Sequence, residues 1–400
     1  MPPASKAPLT RASKALLVSY DFMPRLGGKI TYLHETFRRM PEGKKAVLTA
    51  NYPGARAFDA TAPYKIYRFP RALFSLPMPP FPRIYLLKVL LSLPYAISVC
   101  MREKPDYLIA GQLLPDGVLC HYLSKVLHVP YAVQTYDTID VEMPLHTADA
   151  AICRLVMRGA DRVFYISDFM RGKAIDAGAM EERAVKAEPG TDPEFFRPHL
   201  GTSALRKKHG LDGKKVLLTV AKLSERKGHA QVIRALPRVL EKFPELVYLM
   251  AGSGKCEAEL RGLADSLGVS GNVIFLGSVG NAELPLYYNL CDIFIMPSFY
   301  IAEKFKSEGY GIVFLEANAC GKPVIGGRNA GMLDAVADGK TGLLVEPSNV
   351  EEISSAIVKL LSNPSLARRM GNAGRERVLN ERNWENSAKA VSLAIFGGSA

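Results

Sequence analysis

The chain lacks the features of a zinc-binding, disulfide-stabilised or membrane-spanning protein. Its six cysteines lie far apart, with no CxxC pair and no cysteine–histidine spacing suited to zinc, so we expect buried free thiols in a reducing compartment. The longest uncharged hydrophobic stretch, residues 89–101, has 13 residues and contains Pro94. A spanning helix needs about 20 apolar residues, so the sequence predicts no transmembrane segment.

Acidic residues are in deficit, with 39 Asp and Glu against 51 Lys and Arg and a net charge of +12. This excess of positive charge suggests an anionic partner, such as a nucleotide phosphate, an anionic membrane surface or nucleic acid. Nucleic acid is the least favoured, because the basic residues are spread out and no nucleic-acid-binding motif occurs. A nicotinamide oxidoreductase is also disfavoured, because no G-x-G-x-x-G follows the first strand of either half.

Four hundred residues are too many for one ordinary hydrophobic core, so two domains are expected. Short apolar runs alternate with stretches long enough for helices, as parallel strands require. Two successive series of this kind predict an α/β protein with two open sheets. The predicted strands are residues 15–20, 45–50, 65–69, 107–110, 131–135 and 162–167, then 215–221, 246–251, 273–277, 293–297, 323–326 and 342–345.

A linker is predicted between the two series, where residues 188–198 hold three prolines and a glycine. We place the hinge near residues 189–200 and the two domains at residues 1–190 and 191–380. The chain after Val345 is expected to be helical, with Trp384 in a final helix of about 13 residues. Ligands of open α/β sheets bind at the carboxyl ends of the strands, so motifs there carry the most weight.

The strongest chemical motif is Glu-Gly-Tyr-Gly-Ile-Val-Phe-Leu-Glu at residues 308–316, after a predicted strand. Gly309 and Gly311 would let backbone N–H groups approach a phosphate, and a helix N-terminus favours its negative charge. If a helix begins near Gly311, Glu308 stays in the loop and can accept hydrogen bonds from sugar hydroxyls. Glu316 then lies about a turn and a half into the helix and can accept them from ribose hydroxyls. The alternative is a capping glutamate plus an ordinary surface glutamate.

With the Gly-Lys-Pro-Val-Ile that follows at residues 321–325, this element resembles the retaining GT-B glycosyltransferases of family 4. The resemblance is to bacterial mannosyl- and glucosyltransferases of glycolipids or polysaccharides, such as phosphatidylinositol mannosyltransferases. It covers nearly the whole chain and is most specific over residues 215–345. It implies a GT-B fold, with two Rossmann-like domains facing a cleft and a C-terminal helix at 381–400 crossing back to the first domain.

The implied reaction is retaining transfer of a hexose from a UDP- or GDP-sugar to a lipid-linked or saccharide acceptor in cell-envelope glycoconjugate synthesis. The resemblance implies that the donor contacts a glycine-rich turn that looks like the end of a P-loop. That turn lacks the first glycine of a P-loop, and Cys256 replaces its Ser or Thr. The implied donor-binding residues are Gly27, Gly28, Gly252, Gly254, Glu308, Gly309, Tyr310, Gly311, Ile312, Val313 and Glu316.

Two cations of the family neutralise the diphosphate leaving group, an Arg and a Lys five residues apart. They correspond here to Lys222 and Lys227, which follow a predicted strand. A lysine lacks the planar bidentate geometry of arginine, and Arg226 could compensate; a solvated basic loop is the alternative. No D-x-D triplet occurs, so the lysine pair and the helix dipole are expected to serve in place of a metal.

Two loops of the first domain carry further candidates. Gly27 and Gly28 follow the first strand, where the family has a glycine pair close to a phosphate or the reacting sugar; an ordinary tight turn would look identical. Tyr136 stands where family members often have a histidine, and a phenol is a poor base because its pKa is near 10. Asp137, which we rank as catalytic, or Asp140 is expected to contact the donor or acceptor sugar, and a loop-capping role is the alternative.

A membrane-facing surface is suggested between Asp59 and Glu103, a span without any acidic residue in which basic and aromatic residues alternate. Such a segment can lie in a membrane interface and attract anionic lipids. We therefore expect a cytoplasmic protein, with peripheral attachment to the inner membrane face as one hypothesis. A core helix preceded by a proline-rich loop is the other.

Two further functions remain open from the sequence. One is a GT-B-like epimerase or phosphorylase. The other is an inactive relative that binds nucleotide-sugars without turnover, motivated by Tyr136 and Lys222 in place of the family's residues.

Overall fold

The computed structural model describes residues 12–25, 27–41, 45–70 and 84–397. Within these ranges the strands form two sheets, and every strand pairs in parallel with its neighbours. The strands are β1 (Ala15–Ser19), β2 (Lys45–Thr49), β3 (Lys65–Arg68), β4 (Tyr107–Ala110), β5 (Tyr131–Thr135), β6 (Arg162–Tyr165), β7 (Ala184–Lys186), β8 (Val216–Val220), β9 (Val247–Ala251), β10 (Val273–Gly277), β11 (Ile293–Met296), β12 (Val324–Gly327) and β13 (Gly342–Val345).

Helices connect most of these strands. They are α1 (Gly28–Arg39), α2 (Ala55–Asp59), α3 (Ile84–Glu103), α4 (Val118–Leu127), α5 (Thr138–Val141), α6 (Ala150–Gly159), α7 (Asp168–Asp176), α8 (Ser203–Lys208), α9 (His229–Leu240), α10 (Glu257–Ser266), α11 (Leu284–Leu290), α12 (Ile312–Ala319), α13 (Met332–Ala335), α14 (Val350–Ser362), α15 (Pro364–Asn380) and α16 (Trp384–Phe396). Single 3-10 turns lie at Met143–His146, Glu181–Arg183, Glu225–Lys227, Ser270–Asn272 and Ala302–Lys304, and a π turn at Leu113–Gly117.

Both sheets have the doubly wound order of a Rossmann fold. The first runs β3-β2-β1-β4-β5-β6-β7 and the second β10-β9-β8-β11-β12-β13. Strands β1, β2, β5, β9 and β11 are buried along their whole length, because helices cover both faces of a parallel sheet. The predicted α/β fold with two parallel sheets is confirmed.

Every strand predicted from the sequence is present, and its ends differ by at most two residues. Strand β7 was missed. Its three residues are half-buried at the edge of the first sheet and end in a lysine. A run that short has no apolar periodicity to distinguish it from a loop.

The predicted helical C-terminal region is also present, as α14, α15 and α16. Helix α16 packs on α1 beside the first sheet. The rings of Trp384 and Tyr32 lie 6.2 Å apart, and Arg39 donates to Glu385 over 2.7 Å. The last helix therefore lies against the first sheet's layer, although the sequence before it belongs to the second. The predicted domain boundaries stay a prediction.

Helix α3 combines the two sequence hypotheses for its region. Its side chains at Val89, Ser92 and Ala96 are buried in the core, whereas Leu87 and Leu90 on the opposite face are exposed. By length and composition alone the helix could cross a membrane. The prediction of no transmembrane segment rested on the uncharged run of residues 89–101, which is shorter than this helix. Residues 71–83, the proline-rich part of the suggested membrane-facing segment, lie outside the described residues.

Candidate active site

A cavity of about 450 Å³ opens between the two sheets, where loops at the carboxyl ends of the strands face each other. Such crevices are the usual ligand sites of open α/β sheets. From the first sheet's side, the predicted residues that line it are Gly27, Gly28, Tyr136 and Asp137. From the second, they are Lys227, Glu308, Gly309, Tyr310, Gly311, Ile312, Val313 and Glu316.

The motif at residues 308–316 folds as its glycines suggest. Gly311 has φ 94°, a left-handed conformation that suits glycine, and it directly precedes α12. Glu308 therefore stays in the loop, and Glu316 lies in the helix as predicted. Both carboxylates line the cavity.

Gly309 lies so close to another backbone segment that a larger residue would not fit. A β-carbon at this position would lie 1.8 Å from the carbonyl oxygen of Tyr136, on the opposite side of the cleft. The Gly309 carbonyl in turn accepts a hydrogen bond of 2.8 Å from the Ser167 hydroxyl. The sequence had explained this glycine by phosphate approach, whereas the structure uses it to bring the two halves of the molecule into contact.

Glu308 is held by two cations from the turn that precedes α9. Arg226 Nη1 lies 2.8 Å from Glu308 Oε2, and Lys227 Nζ contacts the same oxygen. The side chain of Glu308 is 14% exposed. Burial alone would raise its pKa, but Lys227 and Arg226 outweigh that effect and lower the pKa to about 2. The group is thus a carboxylate at any physiological pH.

Glu316 has the opposite electrostatic environment. Burial raises its pKa to about 7, and the hydrogen bond donated by the Tyr288 hydroxyl over 2.5 Å lowers it only in part. The carboxyl group therefore changes its charge near neutral pH. A ligand that donates hydrogen bonds to it would favour the ionised form.

Asp137 lines the cavity and also caps α5, because its Oδ1 accepts from the backbone N–H of Asp140 over 2.9 Å. Asp137 is therefore both a loop-capping residue, which was the alternative left open by the sequence, and part of the cavity wall. Asp140 itself lies behind the cavity wall, 4.0 Å from Lys29 Nζ. Burial and the nearby Asp137 raise the pKa of Asp140 to about 7.

Tyr136 is buried, and its hydroxyl has no hydrogen-bond partner among the described residues. Burial raises its pKa well above the ordinary value for a phenol. The side chain therefore stays neutral, and proton abstraction by it is unfavourable. Its ring packs edge-on against Tyr32, with 5.4 Å between centroids.

The predicted glycines differ in what surrounds them. At Gly27 and Gly28 an added β-carbon would meet nothing within 4 Å among the described residues, so the open space there is free for a ligand. At Gly252 and Gly254 it would lie 1.9 Å and 2.1 Å from the carbonyl oxygens of Ala221 and Leu223. Those two glycines permit close packing of neighbouring loops and lie behind the cavity wall, so their donor-binding role stays a prediction.

Lys222 is exposed at the end of β8 and lies outside the cavity lining. Its predicted role also stays a prediction. Sequence reasoning missed several residues that do line the cavity, among them Lys29, Asn281 and Leu284. Lys29 directly follows the glycine pair, and Asn281 follows β10, so their position after strands was the available signal.

Comparison with known proteins places these features in context. The sequence profile of a family described as "Glycosyl transferases group 1" matches residues 202–377. A protein of Mycobacterium tuberculosis, "GDP-mannose-dependent alpha-(1-6)-phosphatidylinositol monomannoside mannosyltransferase", is 31% identical over 97% of this chain and 99% of its own. A "GDP-mannose-dependent monoacylated alpha-(1-6)-phosphatidylinositol monomannoside mannosyltransferase" of Corynebacterium glutamicum is 31% identical, over 94% and 96% of the two chains.

Among solved structures, Anabaena HepE in complex with UDP is similar over 95% of this chain and 99% of its own. The TM-score is 0.78 and the sequence identity 19%. Likeness at this identity shows a shared fold.

The close approach at Gly309 can be tested with a single methyl group. We expect Gly309→Ala to lower the free energy of unfolding by about 1–3 kcal/mol, the usual cost of overpacking, and to widen the cleft. Urea unfolding and the radius of gyration from small-angle X-ray scattering measure the two effects. Gly201→Ala is the matched control, because Gly201 lies outside helices and strands and a β-carbon there meets nothing within 4 Å among the described residues. Equal stability and size of the two variants would contradict the prediction.

Proposed function

The chain belongs to the glycosyl transferases group 1 family, and from this premise we propose that it transfers mannose from GDP-mannose to a lipid-linked acceptor, with retention of anomeric configuration. The glycosyltransferase class and the GT-B fold predicted from the sequence are confirmed by the relatives and the similar structures. The epimerase, phosphorylase and inactive alternatives are not favoured by them.

The observation that carries the donor proposal is the identity of 31% over 97% of the chain with a relative named as GDP-mannose-dependent. A second relative, in another genus, bears the same dependence in its name at the same identity. The similar structure that contains UDP has 19% identity, which speaks only to the fold. We therefore favour guanosine over uridine as the nucleoside of the donor.

In the proposed complex, each carboxylate of the motif has its own task. Glu308, ionised by its two cations, accepts hydrogen bonds from the hydroxyls of the transferred sugar. Glu316 accepts them from the ribose hydroxyls. Lys227 and the N-terminal end of α12 supply positive charge to the diphosphate, so we propose that transfer needs no metal ion.

The proposed chemistry is a front-face displacement. The acceptor oxygen bonds to the anomeric carbon on the face from which the diphosphate leaves. The bond from that carbon to the β-phosphate oxygen breaks with its electron pair on the oxygen, and the acceptor's hydroxyl proton moves to that oxygen. No protein nucleophile is then required. Tyr136 stays neutral, so it shapes the cavity wall and does not act as a base.

We further propose that the acceptor is presented at a membrane surface. Support comes from α3, which exposes Leu87, Leu90 and Leu91 on one face and carries Lys88 beside them. Apolar side chains flanked by cations suit the boundary between lipid headgroups and acyl chains. The relatives' names specify phosphatidylinositol mannosides as acceptors, and a lipid acceptor of that kind would be reached from this surface.

The donor proposal is tested by nucleotide release from a panel of UDP-, GDP- and ADP-sugars. We expect release from GDP-mannose, and a roughly 10- to 100-fold lower rate with Glu308→Ala, the worth of one or two hydrogen bonds to a charged group. Glu303→Ala is the control, because Glu303 is an exposed glutamate in the loop just before the motif. Unchanged turnover in Glu308→Ala would remove Glu308 from the site, and release from a UDP-sugar alone would refute the guanosine donor.

The raised pKa of Glu316 predicts a pH dependence of nucleotide affinity. Because the group is protonated below about pH 7 and binds ribose hydroxyls best when ionised, GDP should bind up to about ten-fold more tightly at pH 8 than at pH 6. Isothermal titration calorimetry at several pH values measures this. Glu316→Gln cannot ionise, so the part of the pH dependence due to this residue should vanish. An identical profile in both proteins would show that Glu316 does not contact the nucleotide.

Membrane attachment is tested by co-sedimentation with vesicles. At low salt we expect the protein to pellet with anionic phospholipid vesicles more than with neutral phosphatidylcholine vesicles, because its net charge is +12. Leu90→Glu should weaken this binding without changing donor hydrolysis, since Leu90 is exposed on α3. A protein that stays in the supernatant with both kinds of vesicle would end the membrane proposal.

A further inference from the structure

The loop between β8 and α9 carries three cations, and the structure separates them. Lys222 is exposed and lies outside the cavity lining. Arg226 and Lys227 both line the cavity, and both reach the same oxygen of Glu308. The sequence suggested Lys222 and Lys227, five residues apart, as the pair of cations at the site. In the structure the two cations of this loop that line the cavity are the adjacent residues Arg226 and Lys227.

The position of Arg226 is fixed by the turn that carries it. Residues Glu225–Lys227 form a single 3-10 turn, and the Arg226 carbonyl accepts a hydrogen bond of 3.0 Å from the backbone N–H of Phe299. Gly228 follows with φ 77°, and a β-carbon there would lie 2.3 Å from the Pro297 carbonyl oxygen. The turn is thus tied to the segment that leads into the motif of Glu308, which limits how far Arg226 can move from the cavity.

We propose that Arg226, rather than Lys222, is the partner of Lys227 in binding the β-phosphate of the donor, an inference that rests on the proposed function. Arginine presents a planar fork that can hold two phosphate oxygens at once, whereas a lysine acts as a point charge. A lysine at position 222 would lack this fork even if it turned inwards. Arg226 restores the bidentate geometry from a different position in the loop.

In this structure, Arg226 and Lys227 donate to Glu308 the hydrogen bonds that a phosphate group would otherwise accept. The single negative charge of Glu308 faces two positive charges, which leaves an excess of one positive charge among three partly buried side chains. A bound diphosphate would take over part of this bonding, and Glu308 would become available to sugar hydroxyls. During transfer the β-phosphate oxygen gains the electron pair of the broken bond, so the same two cations stabilise the added charge.

The test compares nucleotides with and without the β-phosphate. GDP and GMP are titrated calorimetrically into the wild-type protein, Arg226→Gln, Arg226→Lys and Lys222→Gln. We expect Arg226→Gln to weaken GDP binding by about 10- to 100-fold, the worth of hydrogen bonds to a charged group, and GMP binding by less than about 3-fold. Arg226→Lys should fall between, and Lys222→Gln should change neither nucleotide by more than about 3-fold. Lys242→Gln, at an exposed lysine beyond the far end of α9, controls for the loss of one positive charge.

A purely structural role of Arg226 gives a different result. If Arg226 only holds Glu308 in place, Arg226→Gln should weaken binding of GDP-mannose but leave GDP affinity unchanged, which would overturn the inference. Equal losses for GDP and GMP, or a large loss in Lys222→Gln alone, would overturn it as well. Steady-state transfer adds a second readout, with kcat expected to fall about 10²- to 10³-fold in Arg226→Gln.

Failure of the proposed function looks different from failure of this inference. A wild-type protein that binds UDP and UMP in place of the guanine nucleotides would refute the GDP donor. The same variants would then be titrated with UDP and UMP, and a loss in Arg226→Gln confined to UDP would support the inference. Wild-type binding of GDP that is unaffected in Arg226→Gln would refute the inference alone. Thermal unfolding of each variant confirms that the compared proteins are folded.

Discussion

The contact between Gly309 and the Tyr136 carbonyl, where a β-carbon would come within 1.8 Å of the oxygen, determines how the two halves of the cleft face each other. Ser167 reinforces it with a hydrogen bond to the Gly309 carbonyl, and Thr138 does the same for the Phe305 carbonyl at 2.7 Å. In each contact at least one partner is a backbone carbonyl, whose position is set by the fold, so the geometry tolerates little change. A site whose walls come from two separate sheets acquires its shape from this junction, because neither sheet alone encloses a ligand.

The second constraint is electrostatic. Glu308 and Glu316 belong to one short motif, yet the pKa of the first is lowered to about 2 and that of the second raised to about 7. Both are largely removed from solvent, and this alone would raise both pKa values. The difference arises because Arg226 and Lys227 reach Glu308, whereas among the described residues Glu316 accepts a hydrogen bond only from the neutral hydroxyl of Tyr288. One carboxylate is thus a permanent anion, and the other changes its charge near neutral pH.

Local patterns were sufficient for most of the fold. Twelve strands could be placed because each is an apolar run of four to seven residues bounded by turn-forming residues. The half-buried edge strand β7 could not, because three residues carry no periodicity. The glycines show a second limit of prediction from sequence. Among the described residues, Gly27 faces open space and Gly252 faces a backbone carbonyl, but nothing in the sequence distinguishes the two glycines. Whether a glycine makes room for a ligand or for the protein itself depends on its neighbours in space.

By itself, the sequence determined the two parallel sheets, the cleft motif and the chemical type of its residues, since these follow from periodicity and from side-chain chemistry. The tertiary structure decided which of these residues meet. Lys222 has the spacing for a phosphate contact, yet Arg226 reaches Glu308 because a 3-10 turn tied to Phe299 directs it inwards. Charge states were likewise decided in three dimensions, because a pKa depends on burial and on partners 80 residues or more away in the chain.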